Sequence, residues 1–444
     1  MFYKIGLLSL GCAKNRVDAE IMLGTLRDAG YKIVSDVAAS DVAIVNTCGF
    51  IEDSKRESID EILYLINLKN RGIIKHIIVT GCLSERYKNE VLKELPEIDA
   101  AIGIGANDSI ADVVDKVING EKYSAFPDKM NVPLNGKRIQ TTPKHYAYLK
   151  IAEGCDNRCS YCAIPLIRGS FRSRKMEDII DEAKYLAQNG VKELLVIAQD
   201  TTRYGEDIYG KLMLPTLLKK LTEIEEIKWI RILYCYPDRI TDELLDTINK
   251  EPKILNYLDI PLQHCNGRIL KQMNRRGNKE SLTKLINTIR EKVPNIVLRT
   301  TFICGFPGET DEEFNELLDF VHEMKFERMG CFPYSKEEGT RAAEMADQIE
   351  KSVKLERQRI IMQEQGLIMD ELCRGMINKT INVLVEGYDE DEECYYGRSR
   401  WDSPDVDTRV IFSVDGEAPE IGEFKTLKII GYSDEYDLIG EILK

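Results

Sequence analysis

The chain has 444 residues, and at roughly 150 residues per domain this length predicts about three domains. Its composition, 43% hydrophobic and 31% charged, is globular and excludes a wholly disordered or fibrous protein. No apolar run approaches the roughly 18 residues that a membrane span needs. The N-terminus, MFYKIGLLSLGCAKNR, lacks the basic start and the cleavage site of a signal peptide. We therefore expect a cytoplasmic protein with no membrane contact.

The net charge of −14 is unevenly distributed along the chain. Residues 374–444 carry 17 acidic and 8 basic side chains, and residues 389–393 are five consecutive acids. Such a surface repels phosphate backbones, because nucleic-acid binding depends on Lys and Arg. It favours association with a basic protein. For the five-acid run alone, a solvated loop is the alternative interpretation.

Residues 1–118 show the rhythm of strands followed by helices. IGLLSL, DVAIVN and KHIIVT are continuous apolar runs typical of buried strands, and helical patterns follow at 16–29, 51–68 and 84–95. This order predicts an open parallel α/β sheet with helices on its faces. Residues 119–140 are polar and contain prolines, which predicts a linker.

A cysteine follows each of the three predicted strands of this first domain: Cys12, Cys48 and Cys82. The carboxyl ends of neighbouring parallel strands line one crevice, so three thiols distant in sequence meet at one edge of the sheet. Neighbouring glycines, Gly11 and Gly49 among them, allow the backbone to turn tightly there. We expect this trio to hold one metal centre; the alternative is three ordinary buried cysteines.

Residues 141–372 contain six further strand-then-helix units, which predict a partial TIM-like barrel with its chemistry at the C-terminal strand ends. A long amphipathic helix at 353–372 closes this domain. Residues 374–444 contain only short strand patterns separated by Gly, Pro and Asp, and predict a small β-barrel. The six central strands are YAYLKIA, ELLVIA, WIRILYC, NYLDIPL, IVLRTTFI and RMGCFPY.

Cys155, Cys159 and Cys162 form a C-x3-C-x2-C motif after the first strand of the predicted barrel. In a cytoplasmic chain, clustered cysteines indicate metal ligation or catalysis rather than disulfides. Structural zinc takes four protein ligands. Three thiolates are better suited to a 4Fe–4S cluster with one open iron, and zinc remains the alternative.

This motif, with Tyr161 before its last cysteine, resembles the signature of the radical S-adenosylmethionine (radical SAM) superfamily. The resemblance implies that the open iron binds SAM and that an electron cleaves it to a 5′-deoxyadenosyl radical. It also implies SAM contacts from the motif, from the end of the second strand, and from the fifth strand and the loop after it. These residues are Tyr161, Gln199, Asp200, Arg299, Thr300, Gly305, Gly308 and Glu309.

The whole chain is similar to the methylthiotransferase family of radical SAM enzymes, which combine a three-cysteine domain, a radical SAM barrel and a terminal TRAM barrel. It most resembles the branch that modifies ribosomal protein S12. That resemblance rests on SLGCAKNRVDAE from Ser9, QDTTRYGEDIYG from Gln199 and IPLQHCNGRILKQMNRRG from Ile260. One departure is Ser403 before Pro404, where that branch usually has alanine.

The resemblance implies that an aspartate of ribosomal protein S12 gains a methylthio group on its β-carbon. Two 4Fe–4S clusters and two SAM molecules would take part, with the N-terminal trio carrying sulfur. The implied partners are this basic protein, an electron donor such as flavodoxin or ferredoxin, and a sulfur donor. Nucleic acid is not expected as the substrate, although a tRNA adenosine methylthiotransferase is the alternative within the family.

Other functional interpretations concern isolated side chains. Cys235, Cys265, Cys304 and Cys331 are expected to pack in the barrel, and His264 is a candidate pocket residue. A group of basic residues after the motif could contact a substrate carboxylate or nucleic acid, or could lie on a solvated loop. This group is Arg168, Arg172 and Arg174. From another class, an iron–sulfur scaffold or TRAM-based binding protein would leave the second thiol set unexplained. A radical SAM enzyme that does not transfer sulfur would leave the N-terminal trio without a role.

Overall fold

The computed structural model describes residues 3–414 and 416–443. Its N-terminal part begins with a six-stranded sheet and five helices. The strands are β1 (Lys4–Ser9), β2 (Lys32–Val34), β3 (Val42–Thr47), β4 (His76–Gly81), β5 (Ala100–Ile102) and β6 (Tyr123–Ala125). The helices are α1 (Ala13–Asp28), α2 (Glu52–Asn70), α3 (Cys82–Tyr87), α4 (Asn89–Glu94) and α5 (Ile110–Ile118).

All pairs in this sheet are parallel, in the order β2-β1-β3-β4-β5-β6. Apolar side chains cover both faces: α1 and α5 pack on one, α2 to α4 on the other. The three predicted strands and the open α/β sheet are confirmed. The helix predicted at 84–95 is instead two short helices, because the chain turns at Lys88 with a φ of 49°.

The central part is a second parallel sheet that curves into a partial barrel, in the order β14-β13-β12-β11-β10-β7. All six predicted strands are present, as are the long helix and the helices between strands. The sheet strands are β7 (Tyr146–Lys150), β10 (Glu193–Ile197), β11 (Trp229–Ile232), β12 (Ile254–Asp259), β13 (Val297–Cys304) and β14 (Arg328–Pro333); β8 (Ala152–Glu153) and β9 (Arg172–Ser173) pair separately. The helices are α6 (Ile164–Arg168), α7 (Met176–Gln188), α8 (Glu206–Tyr209), α9 (Leu214–Thr222), α10 (Asp242–Lys250), α11 (Gly267–Gln272), α12 (Lys279–Lys292), α13 (Asp311–Met324) and α14 (Lys351–Arg374).

The C-terminal part is a closed five-stranded barrel, as the sequence predicts. It attaches where the central strands begin: Arg398 donates to Glu193 at 2.7 Å, and Arg231 donates to the other carboxylate oxygen at 2.8 Å. Among the described residues no helix combines the length and apolar character needed to cross a membrane. The barrel strands are β15 (Thr380–Asp389), β16 (Cys394–Ser399), β17 (Val410–Ser413), β18 (Phe424–Tyr432) and β19 (Leu438–Ile442).

The polar stretch predicted as a linker is tightly packed against both neighbouring parts. It supplies the edge strand β6 and a buried arginine, Arg138. The guanidinium of Arg138 donates to the carbonyl of Tyr148 at 2.8 Å and lies 3.3 Å from carboxylates of Glu20 and Glu182. The proline content therefore marks irregular backbone here, and not a freely moving connection.

The charge group Glu193, Arg231 and Arg398 yields a stability prediction. All three side chains are at most 2% exposed, so Glu193→Gln leaves two guanidinium charges buried with a weaker partner. Breaking such a buried pair costs about 3–5 kcal/mol, and we expect urea unfolding followed by circular dichroism to show a loss of this size. As a control, Glu356→Gln removes an exposed partner of Arg359 and should leave the unfolding midpoint nearly unchanged. Equal effects of the two substitutions would contradict the prediction.

Candidate functional site

The first thiol trio lies where three neighbouring strands of the N-terminal sheet end. Cys12 follows β1 and precedes the first residue of α1, Cys48 follows β3, and Cys82 is the first residue of α3 after β4. β1 and β3 flank the point where the strand order reverses, which is where open α/β sheets form their binding crevice. The structure thus brings together three thiols that are distant in sequence.

Glycines beside the trio let the three loops approach closely. A Cβ atom on Gly11, whose φ is 84°, would lie 2.8 Å from the Cys48 sulfur, and one on Gly49 would lie 2.7 Å from the backbone of Leu83. Real Cβ atoms do not make such contacts, so a side chain at either position forces the thiol loops apart. The positive φ of Gly11 agrees with the predicted tight turn, whereas Gly49 is needed for close packing and has no positive φ.

The three thiols of the trio are in different electrostatic environments. Burial opposes ionisation of Cys12, but the nearby charges of Lys14 and Arg168 outweigh it and lower the pKa of this thiol. Burial raises the pKa of Cys48, and it raises the pKa of Cys82 to about 12 although Arg168 opposes the shift. The crevice is desolvated, which disfavours a free thiolate, and it holds two cations, which favour negative charge. Together these properties suit a thiolate that is bound to a metal better than a free one.

The basic residues after the C-x3-C-x2-C motif do not lie on a solvated loop, and that interpretation is wrong. Arg168 is 1% exposed and points at the first trio. Arg172 donates to the carbonyls of Lys129 and Val132, and Arg174 donates to the carbonyl of Lys150 at 2.7 Å. These side chains bind the protein's own backbone and carboxylates, because α6 and the strand after it return between the two sheets.

The second trio, Cys155, Cys159 and Cys162, lies on the loop that follows β7 and β8. The loop is held by hydrogen bonds from the Cys155 amide to the carbonyl of Gly169 and from the Cys162 amide to that of Cys159, at 3.1 and 3.0 Å. All three cysteines are partly exposed. Burial raises the pKa of Cys155 to about 11 and that of Cys162 further.

A buried arginine that the sequence analysis missed contacts this second trio. Arg275 Nη1 lies 3.7 Å from the sulfur of Cys159 and 3.5 Å from the hydroxyl of Tyr161, while Nη2 donates to the carbonyl of Pro261. Its guanidinium also lies over the ring of Tyr236, 4.4 Å from the centroid. Arg275 lies in the NRRG segment that contributes to the family resemblance, but the sequence does not show its contact with the motif loop. Only the fold brings its side chain to that loop.

The residues expected to contact SAM fall into two groups. Gln199 keeps its amide nitrogen buried without a hydrogen-bond partner among the described residues, so this group is available to a ligand. Asp200 is occupied by Asn157 of the motif loop at 2.9 Å and by Arg239 at 3.3 Å. It therefore positions the motif loop from the end of the second strand.

The predicted contacts on and after β13 are engaged within the protein. Arg299 donates to Asp259 at 3.0 Å and Thr300 donates to the carbonyl of Ile260 at 2.9 Å. Glu309 is fully buried and accepts from Arg357 at 2.8 Å. Gly305 and Gly308, with φ of 68° and 75°, shape the loop that Glu309 ties down.

A cavity of about 690 Å³ has one lining residue from each thiol loop: Phe50, two residues after Cys48, and Tyr161, one residue before Cys162. The six thiols themselves are not among its lining residues. Residues of β13 and β14, of the segment that follows β14, and of α2 and α14 also line it, including Thr301, Ile303, Phe332 and Tyr334. The hydroxyl of Tyr334 has no hydrogen-bond partner among the described residues. The cavity is thus a common space reached from both loops.

Several sequence candidates lie outside this cavity. His264 is fully buried and accepts from the Asn266 amide, and it is not among the residues that line this cavity. Its Nε2 lies 3.7 Å from Glu309. The four barrel cysteines, Cys235, Cys265, Cys304 and Cys331, are core residues as expected. Within the described ranges, no three His, Cys, Asp or Glu side chains are gathered as tightly as a single bound ion requires.

Three family models match the chain. The Radical SAM superfamily matches residues 149–321, Uncharacterized protein family UPF0004 matches residues 4–103, and the TRAM domain matches residues 377–443. Among solved structures, the radical S-adenosylmethionine methyltransferase TsrM from Kitasatospora setae has a TM-score of 0.59 at 13% identity. The matched region covers 77% of this chain and 74% of that one, and at this identity it shows a shared fold alone.

Curated relatives match nearly the full length of the chain. The ribosomal protein uS12 methylthiotransferase RimO of Thermoanaerobacter sp. (strain X514) is 49% identical over 438 residues, covering 98% of this chain and 99% of that protein. The protein of the same name from Pelotomaculum thermopropionicum is 51% identical over 445 residues, covering 99% of each. A match of this extent spans nearly the whole chain, including its terminal barrel.

The close glycine packing leads to a prediction for the first trio. Gly49→Ala places a methyl group 2.7 Å from the backbone of Leu83, and overpacking of this kind costs about 1–3 kcal/mol. We expect the variant to fold but to bind less iron when reconstituted anaerobically, because the loops of Cys48 and Cys82 separate. Gly431→Ala is the matched control, since a Cβ there meets nothing within 4 Å. Equal iron content in both variants would show that the loop spacing is unimportant.

Proposed function

Because the chain belongs to the family of ribosomal protein uS12 methylthiotransferases named RimO, we propose that it adds a methylthio group to the β-carbon of an aspartate in that ribosomal protein. The observation that carries this proposal is the cavity to whose lining both thiol loops contribute, through Phe50 and Tyr161. We propose that a substrate side chain in this space meets groups held at either trio. Single-site chemistry would not require that arrangement.

The two trios are the proposed holders of two 4Fe–4S clusters. Each offers three thiols, the soft ligands that such clusters take, and each has one buried arginine against a sulfur: Arg168 at Cys82 and Arg275 at Cys159. This donor set fits a cluster, because the guanidinium charge offsets thiolate charge in a desolvated site. When bound, a cluster with SAM supplies one-electron chemistry that can break an unactivated C–H bond.

For SAM we propose a direct contact from Gln199, whose buried amide nitrogen has no partner among the described residues. Tyr161 and the glycines Gly305 and Gly308 border the same side of the barrel. The other expected residues are occupied by hydrogen bonds within the protein. We propose that these act by holding the motif loop and the loop after β13: Asp200, Arg299, Thr300 and Glu309.

The cavity also suits the proposed substrate side chain. Phe50, Ile303 and Phe332 contribute apolar surface to its walls, and Phe332 is 52% exposed at the opening. Arg56, Lys336 and Lys351 also line it, together with the acids Glu52, Asp53 and Glu337, and we propose that the cations pair with the carboxylate of an incoming aspartate. In this proposal the protein positions one C–H bond between two loops, and proximity provides much of the rate.

The remaining partners follow from the chemistry of the proposed reaction. We propose a low-potential one-electron donor of the flavodoxin or ferredoxin class, a separate sulfur donor, and action in the cytoplasm, where twelve free cysteines stay reduced. We further propose working units of residues 1–118, 141–372 and 374–444, joined through residues 119–140. The acidic terminal barrel supports a basic protein partner over nucleic acid.

Two cysteine substitutions separate the proposed roles of the trios. Cys159→Ala should abolish formation of 5′-deoxyadenosine, because the motif loop loses a ligand. Cys48→Ala should leave deoxyadenosine formation in place and abolish only the methylthio product. Both products are measured by mass spectrometry in one anaerobic reaction with dithionite as reductant and a peptide of the ribosomal protein as acceptor.

Cys373→Ala is the control and should preserve both products. Cys373 is buried in the hydrophobic core of the terminal barrel. Iron analysis of the parent protein should give about eight irons per chain, as two 4Fe–4S clusters require. About four irons, or equal loss of deoxyadenosine in folded forms of both variants, would refute two independent sites.

The substrate assignment has its own test in cells. Deleting the gene should remove the methylthio mass from ribosomal protein uS12 and leave methylthio-adenosine in bulk tRNA unchanged. Restoring the gene should restore the protein modification, whereas the Cys48→Ala form should not. Loss of the modification from tRNA alone would instead establish the tRNA adenosine methylthiotransferase.

A further inference from the structure

Arg168 connects the motif loop of the barrel to the first thiol trio. It is the last residue of α6, six residues after Cys162, and its side chain is 1% exposed. Nη2 lies 3.6 Å from the sulfur of Cys82 and donates to the side-chain oxygen of Asn15 at 3.1 Å. A residue of one trio's loop therefore reaches the other trio directly.

The guanidinium belongs to a buried group of four charges. Nη1 of Arg168 donates to Asp18 at 2.9 Å and to both carboxylate oxygens of Glu153 at 3.1 Å. Lys150 donates to the same two acids, at 2.8 Å to Glu153. Two cations and two anions give the group no net charge. Because each charge has a partner of opposite sign, the group is tolerated in the desolvated interior.

One donor of this arginine is left over. Nε of Arg168 is buried and has no hydrogen-bond partner among the described residues. A buried unsatisfied N–H is costly, by about 1–3 kcal/mol, and charged donors are rarely left so. The guanidinium that contacts the sulfur of Cys82 through Nη2 therefore has hydrogen-bonding capacity that the described residues do not use.

Asn15 extends the contact to the other two loops of the trio. Its side-chain nitrogen donates to the carbonyls of Leu10, Asn46 and Thr47, at 2.7, 3.2 and 3.2 Å. These carbonyls belong to the strand ends that precede Cys12 and Cys48. Arg168 thus holds Cys82 directly and the backbone beside the other two cysteines through one intermediate side chain.

We propose that Arg168 is a positioning residue for the N-terminal thiol trio. In this role Arg168 sets the charge and the hydrogen bonding at the sulfur of Cys82. This inference rests on the proposed function, in which the trio holds a 4Fe–4S cluster. It goes further by making the electronic properties of that site depend on a side chain carried by the other trio's loop.

The direction of the effect follows from electrostatics. Reduction adds negative charge to a cluster, and a nearby cation with N–H groups on its sulfurs stabilises that reduced state. Removing the cation therefore makes reduction harder and shifts the midpoint potential to more negative values. It also leaves Asp18 and Glu153 with Lys150 alone, which adds net negative charge near the thiols.

Arginine and lysine differ in a way that separates charge from geometry. Guanidinium is a planar fork with five donors, so it reaches Asp18, Glu153, Asn15 and the thiol at once. An ammonium group keeps the positive charge but is a single point with three donors. Arg168→Lys should therefore produce a smaller shift than Arg168→Met, which removes both the charge and the donors.

The test uses the full chain with Cys155, Cys159 and Cys162 changed to Ala, so that any cluster signal arises from the N-terminal trio. This parent, its Arg168→Met and Arg168→Lys forms, and an Arg231→Met control are reconstituted anaerobically with ferrous iron and sulfide. Arg231 is fully buried and paired with Glu193 but contacts none of the thiols. Iron content and the midpoint potential from an EPR-monitored redox titration are measured for each.

The expected result is a more negative midpoint potential in Arg168→Met, a smaller shift in Arg168→Lys, and the parent value in Arg231→Met. Loss of the cluster from the Arg168 variants alone would equally support the inference. Equal potentials in all forms, or equal loss of iron in Arg168→Met and Arg231→Met, would overturn it. Failure of the parent itself to take up iron would instead refute the proposed function of the trio, so the two failures are distinguishable.

Discussion

The placement of the two thiol trios depends on one buried group of charges, Asp18, Lys150, Glu153 and Arg168. Asp18 comes from α1 of the N-terminal part, and the other three are the last residues of β7, β8 and α6. Charges in a dry interior are tolerated only when every partner is present. The group therefore joins the sheet to the barrel, and in this arrangement Cys82 packs against Ala163 and against Ile167 of α6.

A second buried charge group attaches the terminal barrel at the other end of the central strands. Glu193 begins β10 and pairs with Arg231 of the neighbouring strand and Arg398 of the terminal barrel. Apolar contacts reinforce this attachment, with Leu384 and Phe424 packed among barrel residues. Since the thiol loops lie at the carboxyl ends of the strands, the terminal barrel is fixed without obstructing the cavity. The terminal barrel and the thiol loops thus lie at opposite ends of the same sheet.

The site itself carries local backbone strain that the surrounding packing maintains. Arg158 in the motif loop, Tyr234 after β11 and Gln263 beside the cavity all have positive φ, of 50°, 60° and 73°. Such conformations cost about 1–3 kcal/mol each and persist where neighbouring contacts enforce them. Gln263 is held by hydrogen bonds with the backbone of Thr301 and Ile303. The surrounding packing therefore maintains positive-φ backbone in the motif loop and beside the cavity.

The sequence by itself determined the strand-and-helix order and the six thiols, because apolar periodicity and cysteine spacing are local properties of the chain. It predicted that Cys12, Cys48 and Cys82 meet, since parallel strands share one carboxyl edge. It did not reveal that Arg275 reaches Cys159, that Arg168 is buried against Cys82, that Glu309 is locked by Arg357, or that the chain turns at Lys88. Only the tertiary structure decided these contacts. From sequence alone a charged side chain is expected to be exposed, and it becomes buried only when folding brings it to partners that are distant in the chain.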